Sequence, residues 1–170
     1  MHKHIPHGFY NNSPAGIWRD VTLVITEKVK VEEFYFKPAL DGAEIDVTVA
    51  NHSSSVQDVM LNYEIMNKAT GERLCGGVVE QQILKADDVR TTTFKTPVVE
   101  PKLWAPGAPN LYTISFSVTQ NHDVIDELTD QVGFRTVEVK GEQFLLNGKP
   151  YWFRGANHTP GHMKPYDEPL

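Results

Sequence analysis

Between Val21 and Phe134 the chain is written in short runs whose apolar and polar residues change places at every step. Gly42–Asn51 shows this most plainly: Ala43, Ile45, Val47 and Val49 alternate with Glu44, Asp46 and Thr48. A period of two puts all the apolar residues on one side of a pleated strand, so this run predicts a half-buried β-strand. Val59–Asn67 repeats the pattern with Leu61, Tyr63 and Ile65 on one face, and Leu111–Thr119 with Tyr112, Ile114, Phe116 and Val118. Val21–Thr26, Val29–Phe36, Leu74–Leu84, Val89–Thr96 and Ile125–Phe134 complete the set. Only 79–85 dissents, because Glu80, Gln81, Gln82 and Leu84 favour a turn of helix.

Turn residues separate the runs at Asp41-Gly42, Asn51-His52-Ser53, Thr70-Gly71, Asp87-Asp88 and Asn121-His122-Asp123. Short strands closed by tight turns predict an all-β fold, an immunoglobulin-like antiparallel sandwich. Its core takes the alternating residues named above, with Glu44, Asp46 and Thr48 outside. Beyond it, Thr136–Lys140, Phe144–Leu146 and Tyr151–Phe153 surround Asn147-Gly148. Both central residues of a type I′ turn need positive φ, so Asn-Gly between apolar runs predicts a C-terminal hairpin. The first 16 residues and those after Gly155 are rich in proline and glycine and lack periodicity.

Composition removes several functions. Lys and Arg number 16 against 22 Asp and Glu, a net charge of −6, and the basic residues are scattered. Such a chain does not gather phosphates, so neither nucleic acid nor a membrane is an expected partner. Cys75 is the single cysteine, so no internal disulfide braces the sandwich, and it reads as a small buried strand residue. His158 and His162 stand four apart, but Pro160 and Gly161 oppose the helix that would bring them together. His2, His4 and His7 lie in the irregular start. No metal and no cofactor is expected.

Four stretches carry an identification. They are Gly16-Ile17-Trp18-Arg19-Asp20-Val21; Leu103-Trp104-Ala105-Pro106 running through Pro109 to Leu111-Tyr112; Gly133-Phe134-Arg135; and Phe144 to Pro150 followed by Arg154-Gly155-Ala156-Asn157. In this order and at this spacing they resemble the family 2 glycoside hydrolases, which include β-galactosidases, β-glucuronidases and β-mannosidases. Trp18 and Arg19 match the segment leaving that family's sugar-binding domain. Trp104, Pro106 and Tyr112 match its W-x-P-x-x-P-x-L-Y signature. Gly133, Phe134 and Arg135 match the G-F-R that closes the sandwich. Asn147, Gly148, Arg154 and Gly155 match the F-x-L-N-G-K-P…R-G-x-N entry to the catalytic barrel. By their own chemistry these residues read mainly as structural. Trp104 suits a sandwich edge, with a sugar-stacking platform as the other reading, and Arg135 suits an ion pair or a carbonyl contact.

The resemblance implies residues 1–16 as a tail from an upstream sugar-binding domain, 17–136 as the sandwich, and 137–170 as a hairpin and the first strand of a truncated (β/α)8 barrel. It also implies two glutamates of a retaining mechanism, both beyond Leu170, so no catalytic residue is assigned in the chain. Asn157, His158 and His162 are the candidates for touching sugar in an intact enzyme; the other reading of His158 is packing below the site. After Asn157 the family's β-galactosidase pattern has His and Glu where this chain has Thr159 and Pro160, which is closer to its β-mannosidase-like members. The expected function is a non-catalytic sandwich supporting a β-glycosidase. The alternative is a free-standing carbohydrate- or protein-binding module, which gives no reason for the hairpin and R-G-x-N strand. Expected partners are carbohydrate, through the parent's barrel alone, the parent's remaining domains, and a second copy through the exposed hairpin. The compartment is left open.

Overall fold

The computed structural model describes residues 20–97 and 99–155. Ile25–Trp152 forms one compact unit; the other combines Met1–Val24 with Phe153–Leu170. Of that second unit, residues 20–24 and 153–155 are described and have no regular secondary structure.

Ten strands follow in order: β1 (Val29–Pro38), β2 (Ala43–Asn51), β3 (Gln57–Asn67), β4 (Arg73–Leu84), β5 (Asp88–Lys95), β6 (Tyr112–Gln120), β7 (Asp123–Val132), β8 (Val137–Lys140), β9 (Gln143–Leu146) and β10 (Lys149–Pro150). The first seven build an immunoglobulin-like sandwich from a β1-β2-β5 sheet and a β4-β3-β6-β7 sheet, with every pairing antiparallel. Period-two burial runs along β2, β3 and β6. Ile45, Val47, Val49, Leu61, Ile65, Ile114, Phe116 and Val118 are fully buried, and Tyr63 and Tyr112 nearly so. Phe34 packs on Phe116, and Tyr63 on Phe94, with ring centroids 5.1 and 4.8 Å apart. These rings join the two sheets where antibody domains use a disulfide.

Two sequence expectations fail here. Residues 20–27 form no strand, and Val21, Leu23, Val24 and Ile25 are exposed. The open side of β1 is already engaged across the sandwich: the Val31 amide donates to Asp126 Oδ2 at 2.8 Å. β-branched residues form a strand only where a neighbour offers a ladder. From 79 to 84 the chain is strand, not helix, because β3 pairs with β4 as far as Gln57↔Leu84. Bulges in β4 absorb the irregular pattern, between the registers Leu61↔Glu80 and Asn62↔Val78 and again near Leu74.

Buried polar groups fix the corners. Asn51 is fully buried; its Nδ2 donates to the carbonyls of Ser55, Leu84 and Lys85, and its Oδ1 accepts from Ser53. One side chain thus ties the β2–β3 connection to the end of β4. Cys75 is buried in β4, as its size suggested, and burial pushes its thiol pKa up.

Beyond the sandwich, β8, β9 and β10 form their own sheet in the order β10-β9-β8. Asn147 (φ 53°) and Gly148 (φ 72°) are the two left-handed residues of the turn joining β9 to β10, as the Asn-Gly signal requires. The pairing is shorter than the apolar run implied: β10 stops at Pro150, and Trp152 is 88% exposed.

Candidate functional site

Most of the second, third and fourth motif stretches fall on described residues, and they meet at one junction between sandwich and hairpin. Trp104 is held there from both sides. Its amide donates to the Phe134 carbonyl at 2.8 Å, and its own carbonyl accepts from Asn147 Nδ2 at 3.0 Å. Asn147 Oδ1 in turn accepts from the Thr136 amide at 3.0 Å, while the Asn147 amide donates to the Thr136 carbonyl at 2.9 Å. One asparagine therefore shapes the hairpin turn and clamps it to the Trp104 loop.

Four more motif residues have local reasons. Pro106 takes the first central position of the turn closed by Ala105 and Ala108, where fixed φ costs nothing. Tyr112 opens β6, and its hydroxyl accepts from the Lys102 amide at 2.8 Å, pinning the incoming loop. Phe134 is fully buried and meets Phe36 and Tyr112 edge-on at 5.3 and 5.1 Å. A Cβ on Gly133 would lie 3.3 Å from Trp104 Cβ, so glycine permits the close approach.

Arg135 differs from expectation. Among the described residues neither an ion pair nor a carbonyl holds it; the exposed guanidinium lies over the Trp104 ring, 4.7 Å from the centroid. A cation on an indole face is stabilised by the ring quadrupole, by roughly 0.5–1 kcal/mol at exposed sites. Trp104 itself is half-buried, with one face taken by Arg135. Beside it opens a groove of about 620 Å³ lined by Phe34, Phe36 and Leu128, with Asp130 and Arg135 among its polar residues.

Several acidic residues of the sandwich are engaged in structure. Lys37 bridges Glu44 and Asp46 across adjacent strands at 3.0 and 2.8 Å. The hydrogen bond from Lys37, and then that from Thr93, lowers the Asp46 pKa. Glu64 pairs with Arg73 at 2.9 Å, and a hydrogen bond from His52 lowers the pKa of Glu32. Asp87 sits exposed at φ 53° in the turn before β5. Among the described residues no three His, Cys, Asp or Glu converge as metal ligands. Trp18, Arg19, Asn157, His158 and His162 lie outside the described residues, as do His2, His4 and His7. Arg154 and Gly155 are described and exposed. The Asn147 clamp and the Arg135–Trp104 stack are the features that reading the sequence missed. Both depend on contacts between residues 31 to 43 positions apart, for which a single sequence carries no signal.

The model of the glycosyl hydrolases family 2 matches residues 29–135. A β-galactosidase of Photobacterium profundum is 32% identical over 156 residues, which span 87% of this chain and 15% of that protein. One from Alteromonas mediterranea is 30% identical over 155 residues, 88% of this chain and again 15% of the relative. Among solved structures, the β-glucuronidase of Bacteroides uniformis aligns with a TM-score of 0.64 at 21% identity, over 76% of this chain and 17% of its own. A β-galacturonidase of Eisenbergiella tayi aligns with a TM-score of 0.63 at 23% identity, over 74% of this chain and 22% of its own. Those two share the sandwich fold. The chain thus spans about 15% of the length of the curated relatives it matches, and it belongs to the family 2 glycosyl hydrolases.

Proposed function

We propose that this chain is the non-catalytic sandwich of a retaining β-glycosidase, holding the approach to a catalytic barrel formed by the rest of a longer protein. The observation that carries this reading is the junction. The Trp104 loop, the Gly133–Arg135 exit and the Asn147 turn are bound to one another, so the sandwich sets the direction of the hairpin after Thr136. A rigid handover of this kind is what a barrel needs at its first strand, where side chains at the strand ends build the site. On this reading residues 1–16 are the tail of an upstream domain, 17–136 the sandwich segment and 137–170 the barrel entry. The chemistry belongs to the parent. Two carboxyl groups about 5–5.5 Å apart protonate the leaving oxygen and attack the anomeric carbon. Asn157 and His158, with His162 beyond them, contact the sugar in that intact site.

The β-galactosidase relatives favour a β-galactoside as the parent's substrate. Pro160, where the family's β-galactosidase pattern has glutamate, favours a β-mannoside instead. The longer protein assayed on nitrophenyl β-galactoside and β-mannoside separates the two. Asn157→Ala in that protein is expected to lower kcat/KM on the preferred substrate by at least about tenfold, the scale of one hydrogen bond to a buried polar group. Failure to hydrolyse either substrate overturns the reading. A second reading, a free-standing sugar-binding module, is favoured only by the groove beside Trp104. Chemical-shift changes at that groove on titrating the chain with galactose or mannose would support it.

A further inference from the structure

The β10-β9-β8 sheet ends in β8, and hydrogen-bond parity decides which of its backbone groups face the open edge. The Asn147 amide donates to the Thr136 carbonyl, and the register continues as Glu138↔Leu145 and Lys140↔Gln143. In an antiparallel ladder alternate residues bond to the same neighbour. Thr136, Glu138 and Lys140 therefore bond towards β9, and the N–H and C=O groups of Val137 and Val139 point away from it. The other side of β9 agrees, since the Tyr151 amide donates to the Phe144 carbonyl at 2.9 Å. All four residues of β8 are exposed. Val137, Val139 and Phe144, the residue opposite Val139, share one face and are 54, 69 and 51% exposed. β8 contains no proline and no bulge, two devices that usually blunt an edge.

We propose that β8 pairs antiparallel with β8 of a second copy of this chain, about a two-fold axis through Val139. Charge selects this occupant and this register. Self-pairing that uses the outward groups of Val137 or Val139 has four central alignments, of which the one about Val137 sets Thr136 against Glu138 and gains no ion pair. One sets Glu138 against Glu138. Another sets Lys140 against Lys140 and Glu138 against Glu142. Like charges directly opposite destabilise a sheet. The alignment centred on Val139 places Glu138 opposite Lys140 of the copy, twice by symmetry, as a self-complementary interface requires. Val139 then exchanges both backbone hydrogen bonds with its own counterpart. The valines and Phe144 of both copies continue one apolar face across the joined sheets.

An interface built on four-residue strands belongs to the small, weak class. Sedimentation equilibrium of the 170-residue chain from about 1 μM to 1 mM covers the affinities of that class. A reversible monomer–dimer equilibrium is expected in this range. Val139→Pro removes an outward N–H that the β8–β9 ladder does not use, and is expected to weaken the dimer at least about tenfold, the worth of a single lost 1.4 kcal/mol. Glu138→Lys and Lys140→Glu should each weaken it similarly, while an equimolar mixture of these two variants should associate as a heterodimer at near wild-type strength. Circular dichroism checks that each variant keeps the fold. A chain monomeric throughout the range overturns the proposal. So do single charge variants that associate like wild type, or a mixture that fails to restore pairing. If the proline variant loses the hairpin, the mixing experiment alone decides.

Discussion

Replacing Asn147 tests the junction at its narrowest point. The side chain gives two hydrogen bonds, one to the Trp104 carbonyl and one from the Thr136 amide, and the backbone sits at φ 53°. Removing both bonds costs about 2 kcal/mol at a net value near 1 kcal/mol each. Alanine in the left-handed region adds about 1 kcal/mol that asparagine largely avoids. Asn147→Ala is therefore expected to lose about 3 kcal/mol. Asn147→Gly relieves the backbone and should lose about 2 kcal/mol by the same arithmetic. Asn147→Asp keeps the acceptor for Thr136 but turns a carboxylate on the Trp104 carbonyl, for a loss of about 1–2 kcal/mol. The cost should fall on the hairpin more than on the sandwich, since elements with fewer buried contacts open first. Native-state hydrogen exchange reads this directly. In the alanine variant, protection of the Glu138 and Leu145 amides should drop about 100-fold at 1.4 kcal/mol per decade, with core amides such as Val47 little changed. A glycine variant as destabilised as alanine would refute the backbone argument. Loss below about 0.5 kcal/mol in all three would refute the clamp.

Phe134→Ala empties a fully buried site between Phe36 and Tyr112 and should cost about 3–5 kcal/mol. By calorimetry that is a Tm lower by roughly 6–20 °C for a chain of this size; a fall under about 2 °C would contradict the packing. Tyr63 is pushed up to about 12, first by desolvation and then by the neighbouring Cys75. Its proton is held more tightly folded than unfolded, so this stability is complete below about pH 10 and is lost as pH rises towards 12. Tyr63→Phe should therefore flatten the fall in urea midpoint between about pH 10 and 12, and equal slopes for the two proteins would dismiss the burial argument.

The sandwich was legible because its information is local. Alternation in β2, β3 and β6 fixes which face is buried, and a slip of one residue would send Ile45, Val47 and Val49 into water. Asn147-Gly148 was legible for the same reason: positive φ is a property of two adjacent residues. Val21–Thr26 misled because its strand propensity is real, but β1 already has its outward amide on Asp126. The 79–85 segment misled in the other direction, since helix formers such as Glu80 and Gln82 were overruled by pairing with β3. At the junction, the motif residues were marked by resemblance, yet the reason for each was hidden. Gly133 gives no hint that Trp104 passes 3.3 Å from where its Cβ would be. Arg135 looked like a donor in search of an acceptor and found an aromatic face.

The most direct measurement is turnover by the purified chain itself on nitrophenyl β-galactoside and β-mannoside, beside the longer protein that contains it. On the proposed reading, the acid that protonates the leaving oxygen and the nucleophile that attacks the anomeric carbon both come from the rest of the longer protein. The chain is expected to release no nitrophenol above the uncatalysed background at any concentration, while the longer protein hydrolyses one substrate. Turnover that stays with the chain through repurification, at a rate proportional to its concentration, would contradict the account.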